Sequence, residues 1–219
     1  MTIEAVLFDV DGTLVDSNDL HAAAWQEAFR HFGIVLDYDR IRGQIGKGGD
    51  NLIPSLLEPE VAERLQEEIE SFRSELFKRD YLAKARPFPA AAELLRKLHG
   101  EGTKLVLASS AKQVELDFHI DRLGCRDLLT ATTSKDDVEH SKPCPDIFAA
   151  ALDKVRPLNG GSVVVVGDTP YDIAAAGKIG VPAVAVRCGG FPDEELSDAA
   201  AIFDGPGELI ETFPGWLQR

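Results

Sequence analysis

The sequence predicts an α/β protein, a doubly wound parallel sheet of the Rossmann-like kind with a small α-helical cap. Three observations predict it. Short runs rich in β-branched residues, IEAVLF at 3–8, KLVLAS at 104–109, SVVVVG at 162–167 and AVAV at 183–186, are separated by helix-like stretches. Such alternation marks parallel strands joined by crossover helices. About ninety residues between the first and second runs contain nothing strand-like. The first and third runs each end in a carboxylate, at the strand edge where open α/β sheets bind ligands.

The first run reads as a buried strand that stops abruptly at a turn-forming DVDG. The strand-free stretch reads as helical. Leu20, Ala24, Ala28 and Phe32 recur at fourfold spacing, and Val61, Leu65, Ile69, Phe72 and Leu76 mark one face of a longer helix. Both faces need a partner, so residues 17–84 are expected to form a cap packed on itself, with 1–16 and 85–219 forming the core. The ARPFP segment at 85–89 closes the insert as extended chain, because its prolines forbid helix. Inside the insert, the glycine-rich IGKGGDNL at 45–52 reads as a flexible loop too irregular for a helix interior. Beyond it the pattern predicts helices at 89–101, 111–123, 145–155 and 171–179, and strands at 104–108, 162–166 and 183–186. AIFDGPGELIETF adds a last short strand and a short helix.

With 44% hydrophobic and 27% charged residues, the chain reads as an ordinary soluble globular protein. Its net charge of -14 repels nucleic acid and anionic membrane surfaces, so neither is an expected partner. A small anionic substrate would need a local device to hold it, such as a few cations, backbone amides or a metal ion. Cys125, Cys144 and Cys188 are odd in number and contain no CxxC pair, which fits neither a disulfide framework nor a zinc site. A reducing cytoplasm is the expected compartment. The N-terminal MTIEAVLFDVDG lacks the pattern of a signal peptide, and no apolar run is long enough to cross a bilayer.

Asp9 and Asp11 stand two apart just beyond the first strand, in FDVDGTLVDS. On their own they are equally well read as turn residues. VVVVGDTPYD then ends a second strand in Asp168, with Asp172 four residues on. Asp172 alone would be an ordinary residue of a helix's first turn. Two acidic strand ends in one parallel sheet converge, and a dry cluster of carboxylates repels itself unless a hard cation such as Mg²⁺ sits among them. Ser109 ends the KLVLAS strand, and Lys142 is followed by Pro143 and Pro145, a rigid approach that aims the lysine. A hydroxyl and an ammonium beside Mg²⁺ are what the equatorial oxygens of a phosphoryl group require.

The order Asp-x-Asp-Gly-Thr, strand-end Ser, Lys-Pro and Gly-Asp-x-x-x-Asp resembles the haloacid dehalogenase-like hydrolase superfamily over the entire chain. The helical insert resembles that superfamily's small cap, nearest in pattern to phosphoglycolate phosphatase-like and β-phosphoglucomutase-like proteins. The resemblance implies that Asp9 is the nucleophile, Asp11 the general acid/base, and Ser109 and Lys142 the phosphate ligands. It implies Mg²⁺ held by Asp9, Asp168 and the backbone carbonyl of Asp11, with Asp172 ordering the groups around it. The expected reaction is hydrolysis of the phosphate monoester of a small phosphorylated metabolite through an aspartyl-phosphate, by a monomer or a homodimer. It requires Asp9 ionised and Asp11 protonated in the resting complex.

Ser17 and His21 fall at the hinge, where related mutases carry residues that steer the acid/base. His21 also sits on the apolar side of the first cap helix, and packing is its preferred reading. Lys47 either touches the far end of the substrate or is solvated. His31, His99, His119 and His140 lack ligand spacing and read as surface residues. The competing reading is a β-phosphoglucomutase-like sugar phosphomutase, whose relatives carry an arginine in the cap loop and adjacent Glu and Asp in the last motif. Here the loop has Gly48 and Gly49 beside Lys47, and the last motif is GDTPYD. A dehalogenase would not need Asp11, and a non-catalytic phospho-ligand binding module would be expected to have lost one of these charged residues.

Overall fold

The computed structural model describes residues 3–216. Six parallel strands form one sheet: β1 (Ala5–Phe8), β4 (Lys104–Ala108), β5 (Ala131–Thr133), β6 (Val163–Gly167), β7 (Ala183–Val186) and β8 (Ala201–Phe203), in the order β5-β4-β1-β6-β7-β8. β1 lies at the centre, with Phe8 in register with Leu107 on one side and Val166 on the other. Strand order reverses about β1, which makes its C-terminal end the switch point of the sheet.

Alternation along the strands divides the core into two layers. Val6, Phe8, Leu105, Leu107, Val164 and Val166 face α5 (Ala91–Gly100) and α6 (Gln113–Leu123). Ala5, Leu7, Val106, Ala108, Val163 and Val165 face α7 (Asp146–Asp153) and α8 (Pro170–Lys178). Burial on both faces is why these strands read as continuous apolar runs. β5 escaped the sequence reading because its three residues, Ala-Thr-Thr, form a partly exposed edge strand with no apolar run.

Residues 18–84 contain α1 (Asn18–His31), α2 (Tyr38–Arg42), α3 (Gly49–Leu56) and α4 (Pro59–Leu76), followed by one wide π-helical turn at Phe77–Tyr81 and a short 3₁₀ turn. Trp25, Ala28, Phe29, Ile41, Leu52, Ile53 and Ile69 form an apolar cluster of their own between these helices. A smaller cluster of Ala24, Leu76, Phe77 and Leu82 touches Phe118 of α6 and ties the helices to the sheet layer. The connections pair as a two-stranded antiparallel ribbon, β2 (Val15–Asp16) with β3 (Arg86–Pro87), which accounts for the extended ARPFP segment. The glycine-rich segment departs from its expected loop: α3 begins at Gly49, so only its first half is irregular.

Candidate active site

Chain geometry at the end of β1 is set by one glycine. Gly12 has φ +81°, and a Cβ there would lie 2.3 Å from Asp168 Oδ2, so no other residue lets the turn approach the neighbouring strand end. Asp9, one residue beyond β1, still donates its N–H to Val166 at 2.8 Å and is held by the sheet ladder. Asp168 follows β6 and is fully buried. The Thr13 hydroxyl lies between the two, 3.2 Å from Asp9 Oδ2 and 3.1 Å from Asp168 Oδ1. Asn18 donates to Asp168 Oδ2 at 2.8 Å.

Asp172 is the third buried carboxylate, fixed by a reciprocal cap at the start of α8. Thr169 Oγ1 donates to Asp172 Oδ2 at 2.6 Å, and the Asp172 N–H returns a bond to Thr169 Oγ1 at 3.2 Å. Oxygens of Asp9, Asp168 and Asp172 lie within 4.8 Å of one another. Lys142, only 1% exposed, reaches in from the loop before α7, donating to Asp9 Oδ1 and lying 2.7 Å from Asp172 Oδ1. Burial pushes the Asp9 carboxyl up to about 7; Lys142 opposes this, while Asp172 and Asp11 add to it. Asp168 is likewise pushed well up by burial and by Asp9. Hard oxygen donors, buried and carrying more negative charge than one lysine cancels, fit a divalent cation.

Asp11 points the other way, toward the helices. Its Oδ1 accepts from Ser17 Oγ at 2.6 Å and lies 3.0 Å from His21 Nε2 and 3.5 Å from His119 Nε2. Its Oδ2 accepts from Ser109 Oγ at 3.4 Å, whose oxygen in turn accepts the Ala111 N–H at 3.0 Å. Burial acts to raise the Asp11 carboxyl, but His21, His119 and Ser17 together hold it well below the usual carboxylate range. The two N-terminal carboxylates are therefore pushed in opposite directions, Asp9 up and Asp11 down. Asp9 lies among other buried carboxylates, whereas Asp11 lies among histidines.

Asp9, Asp11, Ser109, Lys142, Asp168 and Asp172 thus meet at the C-terminal ends of β1, β4 and β6, and Ser17 and His21 join them. The packing preference for His21 is half of its role: the ring stacks on Phe77 with centroids 4.1 Å apart while its Nε2 faces Asp11. Lys47 is not a free solvated lysine. Its ammonium donates to Gln44 at 2.6 Å and Ser55 at 2.9 Å and lies 4.7 Å from the Tyr171 ring centre, on the wall of the cavity above Asp9. His119 departs from its expected surface position and is buried on α6 against Asp11, whereas His31, His99 and His140 are exposed.

The same cavity is walled by residues that the motif reading missed: Glu70, Arg73 and Ser74 from α4, and Glu115 from α6. Arg73 hydrogen-bonds with His21 Nδ1 and stands 3.9 Å from Glu115. Their signal was present in the helical period. Arg73 lies four residues from Ile69 and from Phe77, and Glu115 and His119 border the stripe of Leu116, Ile120 and Leu123, so charged groups interrupt faces that pack.

Two segments hold the helices down over the sheet. Asp50 Oδ2 accepts from the Ser141 N–H at 2.9 Å, Asn51 donates to the Ser141 carbonyl at 2.8 Å, and Lys135 pairs with Asp50 at 3.3 Å. Gly48 permits the contact, since a Cβ there would lie 2.1 Å from Ser141 Oγ. On the other side, Arg42 donates to the Gly189 carbonyl and Tyr171 to that of Gly43.

A six-stranded parallel sheet with acidic strand ends beneath a helical insert defines a class, and the chain belongs to it: it is a member of the haloacid dehalogenase-like hydrolases, whose family profile matches residues 6–186. The chain is 30% identical to an N-acetylmuramic acid 6-phosphate phosphatase of Pseudomonas putida, covering 95% of each. It is 26% identical to a fructose-1-phosphate phosphatase of Escherichia coli, over 83% of this chain and 95% of that one. It is also 30% identical to protein SUPPRESSOR OF QUENCHING 1 of Arabidopsis thaliana, over 94% of this chain but only 19% of that much longer protein. Among solved structures, a hydrolase from Pseudomonas syringae superposes with a TM-score of 0.89 at 28% identity, covering 96% of this chain and 98% of that one.

Proposed function

We propose that the protein is a magnesium-dependent phosphatase that cleaves the phosphate monoester of a small metabolite through an aspartyl-phosphate on Asp9. The observation that carries this reading is the convergence of Asp9, Asp168, Asp172 and Lys142 at the switch point, with Asp11 held separately beside them. Relatives whose names specify phosphorylated sugars support a metabolite substrate. Asp9 and Asp168, with the Asp11 carbonyl, are the proposed Mg²⁺ ligands, and Asp172 orders Lys142 beside them. Bound Mg²⁺ would supply the positive charge that lets an anionic nucleophile meet an anionic ester.

Asp9 attacks phosphorus in line, forming its bond as the phosphorus–oxygen ester bond breaks. Asp11 donates a proton to the departing alkoxide. A water then attacks the same phosphorus, Asp11 takes its proton, and inorganic phosphate leaves with Asp9 restored. Lys142 and Ser109 hold the phosphoryl oxygens. Asp11 needs a proton in the first step, and the negative charge of an arriving phosphate raises its proton affinity against the pull of His21 and Ser17. Residues 17–84 are the proposed cap, excluding water and contacting the leaving group. The free thiols of Cys125, Cys144 and Cys188 suit a reducing cytoplasm.

Purified protein assayed with Mg²⁺ against phosphorylated metabolites should release inorganic phosphate, lose activity in chelator, and acquire an acid-stable, base-labile label that Asp9→Asn lacks. Activity in excess chelator, or a labelled Asp9→Asn, overturns the assignment. If β-glucose 1-phosphate with a bisphosphate primer gave glucose 6-phosphate faster than free phosphate, the mutase reading would replace it.

A further inference from the structure

The turn after β7 touches the floor of the site on one side and the helical insert on the other. β7 ends at Val186, and the chain passes through one 3₁₀ turn, Arg187–Gly189, into Gly190, whose φ is +90°. The two glycines make both approaches possible. A Cβ on Gly189 would overlap the Asp168 carboxyl, and one on Gly190 would lie 2.8 Å from Arg42 Nη2. Between them in the same turn, the Cys188 thiol donates to the Gly12 carbonyl at 3.3 Å, which ties the turn to the loop after β1.

The Gly189 carbonyl is the junction. It accepts from the Arg42 guanidinium of α2 and, at 3.0 Å, from Asn18 Nδ2, and the same Nδ2 donates to Asp168 Oδ2 at 2.8 Å. A backbone carbonyl only accepts, which fixes this end of the Asn18 carboxamide as its amide. Asn18 Oδ1 is buried with no partner among the described residues, so the two donated bonds alone place the side chain. Thr13 holds the other Asp168 oxygen, at 3.1 Å, so loss of Asn18 frees the carboxylate to turn. Asn18 is also the first residue of α1, and belongs to the same insert whose α2 carries Arg42.

We infer that Asn18 is a positioning residue through which the docking of Arg42 on the Gly189 carbonyl sets how tightly Asp168 holds Mg²⁺. The inference rests on the proposed Mg²⁺ site. Its sign separates it from plain electrostatics. Arg42→Ala removes a positive charge and leaves Asp19, its partner at 2.7 Å, unpaired, so Coulomb's law alone makes Mg²⁺ bind more tightly. A relay through Gly189 and Asn18 makes it bind more weakly. Calorimetric titration of Mg²⁺ into chelator-stripped protein, without substrate, reads the difference. Asn18→Ala should weaken Mg²⁺ binding by about tenfold or more, the usual worth of a group that orients a metal ligand. Arg42→Ala should weaken it about threefold to tenfold in the otherwise wild-type protein, but less than about twofold where Asn18 is already alanine, because the middle link is then gone. Arg42→Lys, which keeps a charge and a donor, should stay within about twofold of wild type. Cooperative melting of each metal-free variant verifies that it folds, and if Asn18→Ala does not melt cooperatively, the sign of the Arg42→Ala change decides by itself. Tighter or unchanged binding in Arg42→Ala, or equal losses from it in both backgrounds, would overturn the relay. Phosphate release measured on the same samples keeps the two readings apart. A wild type that shows this pattern of Mg²⁺ binding yet hydrolyses no ester leaves the relay standing and removes the phosphatase reading. Mg²⁺-supported hydrolysis without the pattern removes the relay alone, and a wild type that binds no Mg²⁺ removes both.

Discussion

The floor of the site and its wall treat charge in opposite ways. On the floor, every carboxylate is pinned: Asp172 by its cap with Thr169, Asp168 by Asn18 and Thr13, Asp9 by Lys142. Burial, together with the negative charge that remains, pushes Asp9 and Asp168 up. On the wall, Asp11 is the satisfied member, while Glu115 and Arg73 keep unpaired atoms. A floor whose carboxylates are each held by a neighbouring side chain suits a fixed reacting group and a cation of invariant chemistry. An incompletely paired wall suits a partner that changes from one turnover to the next, arriving as leaving group and departing as product.

The largest effect that would sharpen this contrast is expected from Asp11→Asn. For an alkyl phosphate it should lower kcat/KM by roughly 10²–10⁴, the usual worth of a placed acid. With p-nitrophenyl phosphate, whose leaving group needs no proton, the variant should instead give a stoichiometric burst of nitrophenol followed by slow turnover. Wild-type rates on the alkyl ester, or no burst, would break the separation of roles between floor and wall.

A smaller effect is expected where wall and floor are joined. Removing both side chains of the Asp50 and Asn51 contact with Ser141, as Asp50→Ala with Asn51→Ala, loses two hydrogen bonds worth about 1 kcal/mol each and should raise KM by up to about thirtyfold. The fall in kcat should be slighter. If steady-state kinetics show no change in KM, the contact does not govern closure.

The smallest effect concerns stability. A carboxyl with a raised folded pKa favours the fold in its protonated state, so the chelated protein should lose stability as pH rises from about 4, where the unfolded carboxyl titrates, through about 7, where Asp9 does. Asp11 is held down and works in the opposite sense, its contribution being lost only below about pH 4. Thermal unfolding should therefore show Mg²⁺ raising the melting temperature by a few degrees more at pH 8 than at pH 5. A chelated protein whose melting temperature is flat or rising across that window would contradict the crowded floor.

The floor was legible because it is written locally. Asp9, Ser109 and Asp168 directly follow strands and Asp172 lies in the first turn of α8, so FDVDG, KLVLAS and GDTPYD expose both the element and the group it carries. Alternation and the strand-free stretch likewise made the sheet and the helical insert readable. The wall is assembled from single positions on α1, α4 and α6 whose meeting depends on how the helices pack. Arg73, Glu115 and His119 have no neighbours in sequence that announce them, and His119 read as a surface residue for that reason. The start of α3 was hidden differently, since tertiary contacts of Asp50 and Asn51 with Ser141 stabilise a helix whose first residue is a poor helix former.

Ser141, where the helices are fastened to the sheet layer, is covalently joined to Lys142, whose ammonium lies between Asp9 and Asp172. On the proposed function, gripping a phosphoryl group and shutting the cavity would therefore act on one stretch of backbone. Linkage makes such a coupling reciprocal: whatever free energy an ester gains by steadying this stretch also biases the helices downward, and helices already down strengthen the grip by the same factor. In the proposed reaction, spent phosphate would retain only its share of that joint stabilisation once its organic partner is gone, so release and reopening would be a single step.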